Sequence, residues 1–97
     1  MSYAIYFDER AVADIKHAKD YYASIEVGLD QTFFKDVEKC IGLLEKNPFF
    51  QIRYASVRCL PLHKFPFMIH FTINENAKEI QIRAIIHTQM SPDKWIK

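Results

Sequence analysis

The feature that most constrains this chain is a change of hydrophobic period near its middle. Ahead of residue 47 apolar side chains return every three or four positions, and from Phe67 to His87 they return every second. The first spacing is that of a helix face and the second that of a strand. With 97 residues there is room for one domain. Helices and strands must therefore share a single core.

Before the first helical stripe, Tyr3 to Phe7 alternates and is rich in β-favouring residues, which predicts a short strand. Asp8 is then the expected helix N-cap, with Glu9 behind it to favour the dipole. Ala11, Ile15, Ala18, Tyr22 and Ile25 step by four, three, four and three, leaving Asp14, Lys16, His17, Lys19 and Asp20 for solvent. Gly28 follows and can take the positive φ that a helix end requires. A second helix is predicted from Leu29 to Lys46, burying Phe33, Val37, Cys40, Ile41 and Leu44 in a stripe widened by Phe34. Asn47-Pro48 ends it, since proline cannot continue the ladder. So short a connection makes the pair an antiparallel helical hairpin.

The second half reads as three strands. Ile52 to Leu60 is one, ended by Pro61; Phe67 to Ile73 and Lys78 to His87 are the others, joined by a turn at Asn74-Glu75-Asn76-Ala77. That turn sets Phe71 opposite Ile80, Ile69 opposite Ile82, His70 by Gln81 and Met68 by Arg83. The expected fold class is α+β: β-α-α-β-β-β, a helical hairpin packed on one face of a small, mostly antiparallel sheet.

Composition removes several functions. A net charge of +1 leaves no bulk electrostatic grip on nucleic acid, so any such contact needs a local patch. The only glycines are Gly28 and Gly42, too few and too far apart for a phosphate-binding loop. Cys40 and Cys59 make neither a four-ligand zinc site nor a disulfide framework, and they read as core thiols. No metal and no cofactor is expected. With no basic leader and no apolar run of membrane length, the expectation is a soluble cytoplasmic domain.

Function is expected on the sheet face away from the helices. Placing Ala55, Val57 and Cys59 on the covered side leaves Tyr54, Arg58, His70, Gln81, Arg83 and His87 facing outward. Two arginines, two histidines and a phenol suit a phosphate backbone or an acidic peptide, and the pattern equally suits an ordinary solvated face. Metal-free RNA cleavage needs a base, an acid and a cation. His87 with Arg58 or Arg83 supplies two of these, with His70 or Tyr54 as a third. His17 and His63 have no partner pattern.

The strings Ala18-Lys19-Asp20-Tyr21-Tyr22, Gly28-Leu29 and Asn47-Pro48 occur in the order met in the RelE/ParE superfamily of bacterial toxins. Val57-Arg58, then Lys64-Phe65-Pro66-Phe67-Met68-Ile69-His70-Phe71, resembles the central strands of that superfamily. Ala84-Ile85-Ile86-His87, with Pro92 and Trp95 behind it, is similar to its usual ending. The resemblance covers nearly the whole chain, and it implies the toxin of a type II toxin–antitoxin system, neutralised by a cognate antitoxin and assembled with it as a dimer or larger complex. Relatives of the RelE type cleave mRNA on the ribosome from the open sheet face. Those of the ParE type, associated with plasmid stabilisation, poison DNA gyrase. Gln89 and Met90 stand where many nuclease relatives carry an arginine pair, and Lys64-Phe65-Pro66-Phe67 lacks the phenol of the usual Arg-Phe-Pro-Tyr. The expectation is thus a gyrase-directed toxin, with Tyr54, His70, Gln81, Lys64 and Trp95 as binding residues. The alternatives are an mRNA endonuclease using Arg58, Arg83 and His87, and an inactive relative.

Overall fold

The computed structural model describes residues 2–89. Pro92 and Trp95, part of the ending that carries the resemblance, and with them the expected binding role of Trp95, lie outside the described residues. Seven elements follow in order: β1 (Ala4–Phe7), α1 (Glu9–Ile25), α2 (Leu29–Lys46), β2 (Ile52–Tyr54), β3 (Val57–Pro61), β4 (Phe67–Asn74) and β5 (Glu79–His87). The sheet order is β1-β5-β4-β3-β2, with β1 parallel to β5 and every other pair antiparallel. The fold class is the expected one, and α2 has the bounds its stripe predicts.

One predicted strand is two. The chain from Ile52 to Leu60 folds back at Ala55-Ser56, where Ala55 takes φ +46°, and β2 pairs with β3 as a short hairpin. Gly28 takes φ +88° and starts α2 directly, as a left-handed turn between two helices requires.

Ala11, Ala18, Phe33, Val37, Cys40 and Leu44 meet Leu60, Leu62, Ile69, Phe71, Ile80, Ile82 and Ile85 in one buried cluster between hairpin and sheet. An aromatic group closes one end: the Tyr22 ring lies 4.7 Å from Phe65 and 5.5 Å from Phe33, and Phe33 lies 5.4 Å from Phe67. Such ring pairs add to the area they bury. Ile25 and Phe34, expected in the stripes, are exposed. Ile25 is the last residue of α1, and Phe34 sits beneath the Lys19 ammonium, 4.8 Å from its ring centre.

Two carboxylates do work that the sequence reading gave to neither. Asp36, buried on α2, accepts hydrogen bonds from the backbone N–H groups of His63 (3.2 Å) and Lys64 (2.7 Å), tying down the β3–β4 loop. Asp14, left for solvent in the sequence reading, accepts from the Ile85 N–H at 2.9 Å. Past the end of β1 the edge of β5 needs such a partner.

Candidate functional site

The β4–β5 register decides which side chains share a face. Asn74 pairs with Glu79, Thr72 with Gln81 and Phe71 with Ile82, then His70 pairs with Ala84 and Phe67 with His87. The turn is four residues long, as predicted, but sits one position later, which shifts the register by two residues and preserves the facing of every residue near it. The second difference does not: Arg83 is an extra residue on β5, a bulge opposite the His70–Phe71 step. Beyond it every side chain of β5 changes face. Ile85 joins the helix-side core, while Ala84 and Ile86 share the far face with His70 and Met68.

His87 is therefore not on the far face, as strict alternation predicts. It pairs with Phe67, its ring 5.2 Å from the Phe67 ring, and lines a groove beside α1. Arg58 is also turned the other way. Its strand partner is the core residue Phe71, its Nη1 donates to the Phe50 carbonyl at 2.8 Å, and its guanidinium lies 5.5 Å from the Phe49 ring centre. Cys59 takes the far face in its place, opposite His70. The signals for both corrections were in the chain. Ala84-Ile85-Ile86 breaks the alternation, and Leu60 and Leu62 are in phase with Arg58, not with Cys59.

Two clusters occupy the far face. In the first, the Tyr54 phenol lies 3.0 Å from Nδ1 of His70, and the Cys59 Sγ lies 3.5 Å from the same nitrogen. His70 is fully buried. Burial first, and then the charges of Arg10 and Arg53, push its pKa down to about 4. Burial likewise raises the Tyr54 phenol and the Cys59 thiol, Cys59 adding to the first and Arg53 partly opposing the second. All three groups are neutral near pH 7. A neutral, enclosed thiol is no nucleophile, and a histidine this hard to protonate is a poor general acid.

The second cluster centres on Asp8. Asp8 occupies the N-cap position of α1, but its side chain makes no cap bond. Its carboxylate instead accepts from the Gln81 amide and, at 3.3 Å, from Arg83, whose Nε also donates to Thr72 Oγ1 at 3.1 Å. Gln81 and Arg83 thus share a polar depression with Ser56, Asn74 and Glu79. Its carboxylates, Asp8 beside it and Glu75 and Glu79 within it, more than offset the single arginine.

The structure brings Tyr54 and His70 together and, separately, Gln81 and Arg83. It does not bring together Arg58, Arg83 and His87, and Lys64 stands on the loop held by Asp36. Among the described residues no group of three or more His, Cys, Asp or Glu is placed to hold a metal ion. Nor is any described helix long and apolar enough to cross a membrane.

Comparison with known proteins agrees with this architecture. The chain is similar to a solved chain of the chromosomal ParDE TA system from P. aeruginosa, at 22% identity and a TM-score of 0.74, over 91% of this chain and 98% of that one. It is also similar to the isolated E. coli RelE toxin, at 10% identity and a TM-score of 0.59, over 97% and 93% of the two chains. A chain of the intact E. coli RelBE toxin–antitoxin complex aligns at 11% identity and a TM-score of 0.61, over 92% and 100%. At these identities the solved structures establish the fold alone. No curated protein matches the sequence. Residues 5–92 match the family described as ParE toxin of type II toxin-antitoxin system, parDE. With nearly its whole length inside that match, this chain belongs to the ParE family of type II toxins, within the RelE/ParE superfamily.

Proposed function

We propose that this ParE-family toxin acts by binding and poisoning DNA gyrase in the cytoplasm and is held inactive by a cognate antitoxin. One observation carries the choice of target over the nuclease alternative. The three residues that a metal-free endonuclease would use, Arg58, Arg83 and His87, are engaged at separate places: Arg58 with the Phe50 carbonyl, Arg83 with Asp8, and His87 in the groove beside α1. General acid–base cleavage needs its groups within reach of one phosphate. The far-face histidine, His70, is neutral and enclosed. What remains on that face suits binding, with Tyr54 and Gln81 as its accessible polar members, His70 acting only from beneath through Tyr54, and Lys64 and Trp95 as further candidates.

The antitoxin reading draws on the neighbours described as ParDE and RelBE systems, and assembly into a toxin–antitoxin dimer or larger complex follows from the same reading. The experiment is induction of this chain alone in a bacterium, with cell length followed by microscopy. Long filaments with blocked chromosome processing are expected. Short, arrested cells with cut mRNA would contradict the gyrase reading, and normal growth with soluble protein present would favour an inactive relative.

A further inference from the structure

Gly42 interrupts the interior of α2, where a glycine weakens a helix. Nothing within the chain calls for it. Its φ is not positive, and a Cβ at this position would meet no atom within 4 Å. It stands at the centre of the outward face of α2, opposite the stripe that Phe33, Val37, Cys40 and Leu44 bury.

The charges around Gly42 are opposite at matching distances. Three positions to either side stand Lys39 and Glu45, and four positions to either side stand Glu38 and Lys46. All four are exposed, and none is in an ion pair among the described residues. Glu45 and Lys46 also lack an opposite charge three or four positions away along the helix. Apolar surface flanks this row on both sides. Phe34 and Ile41 border a groove of about 340 Å³ that reaches Phe7, and across the row Leu43 is 43% exposed.

These features select the occupant. A row of charges that reads opposite when reversed about its own centre complements an antiparallel copy of itself. Rows with a spacing of four, such as Glu38-Gly42-Lys46, pack at a crossing of about −50°. At that crossing Gly42 meets Gly42 of the second copy, with no side chain to hold the backbones apart. Glu38 then comes beside Lys46 of the second copy, and the two-fold repeats the pair. A second copy of this chain carries the required order of charges by necessity.

We propose that two copies of this toxin, without antitoxin, associate through their α2 faces about a two-fold axis at Gly42. The interface uses neither the far face of the sheet nor the groove beside α1, so it does not rest on gyrase being the target. One helix per subunit, with Phe34, Ile41 and Leu43 as apolar shoulders, makes a small interface. The dimer is therefore weak, half-formed at roughly 100 μM protein.

The test is sedimentation equilibrium of the full-length protein from about 5 μM to about 1 mM, a range that spans weak association. A reversible monomer–dimer equilibrium is expected. Gly42→Gln, which sets a long side chain at the crossing, should weaken association at least about tenfold. The same change should raise the thermal midpoint of the dilute monomer, because glutamine is the better helix former. Glu38→Lys and Lys46→Glu should each weaken association several-fold. The double exchange keeps the net charge and restores opposite pairs, so it should return association to within about twofold of the original. A monomer at every concentration, association unchanged by Gly42→Gln, or a double exchange no better than the single changes would each overturn the proposal.

Discussion

The Tyr54 phenol sits 3.0 Å from Nδ1 of His70 and joins the short β2 edge strand to the centre of the sheet. With Tyr54 donating, the imidazole is held in the neutral form that burial already favours. This places a titratable group at zero exposure in the middle of the fold.

Acid should therefore loosen the protein through His70. A histidine whose pKa is depressed in the fold stabilises it fully above its unfolded value of 6.5, and that stability is lost as the pH falls toward about 4. The difference corresponds to about 3 kcal/mol. Urea midpoints measured from pH 7 to pH 4.5 should fall, and the fall should be shallower in His70→Gln. A wild-type midpoint that stays level over this window would show that His70 is not held neutral.

Asp36 anchors the β3–β4 loop by two backbone bonds. Asp36→Ala leaves both donors unmet and should cost about 2–3 kcal/mol. Asp36→Asn keeps one acceptor oxygen and should lose about half as much. Thermal unfolding distinguishes them; equal, small losses in both would mean that water replaces the carboxylate without penalty.

Asp14 caps the free edge of β5. Asp14→Ala should destabilise by about 1–2 kcal/mol and speed hydrogen exchange at Ile85. Burial raises the Asp14 pKa above 3.8, so its contribution is complete below that value and declines as the pH rises through the raised one. Asp14→Asn should keep the Ile85 bond and remove that decline. Unchanged exchange at Ile85 in the alanine variant would contradict the cap.

Arg58 is a structural residue in this account. Arg58→Ala strands the Phe50 carbonyl and the Phe49 ring and should lower stability by about 1–2 kcal/mol. Growth inhibition, corrected for the amount of folded protein, should be unchanged. A folded Arg58→Ala protein that has lost its effect on growth would return Arg58 to the functional site.

Much of this fold is legible in the chain. Helix spacing and the Asn47-Pro48 stop bound α2, and alternation marks β4 and β5. The functional face is less legible because facing is a parity, and one extra residue reverses it. The bulge at Arg83 moved His87, and the turn at Ala55-Ser56 detached the phase of β3 from that of β2, so Arg58 and Cys59 exchanged sides. Tertiary carboxylate bonds were also out of reach. Asp14 and Asp36 stand at stripe spacing, three residues after Ala11 and Phe33 and four before Ala18 and Cys40, but as acids they read as solvent-facing, and what they bind, at Ile85 and at His63 and Lys64, is remote in sequence.

The central claim is that this toxin poisons gyrase by binding and does not cut RNA. The most direct measurement is DNA supercoiling by purified gyrase with an excess of this protein, scored for both relaxed and cleaved plasmid. The account predicts inhibited supercoiling with accumulation of gyrase-cleaved DNA, retained in His87→Ala. Normal supercoiling at saturating folded protein would contradict it.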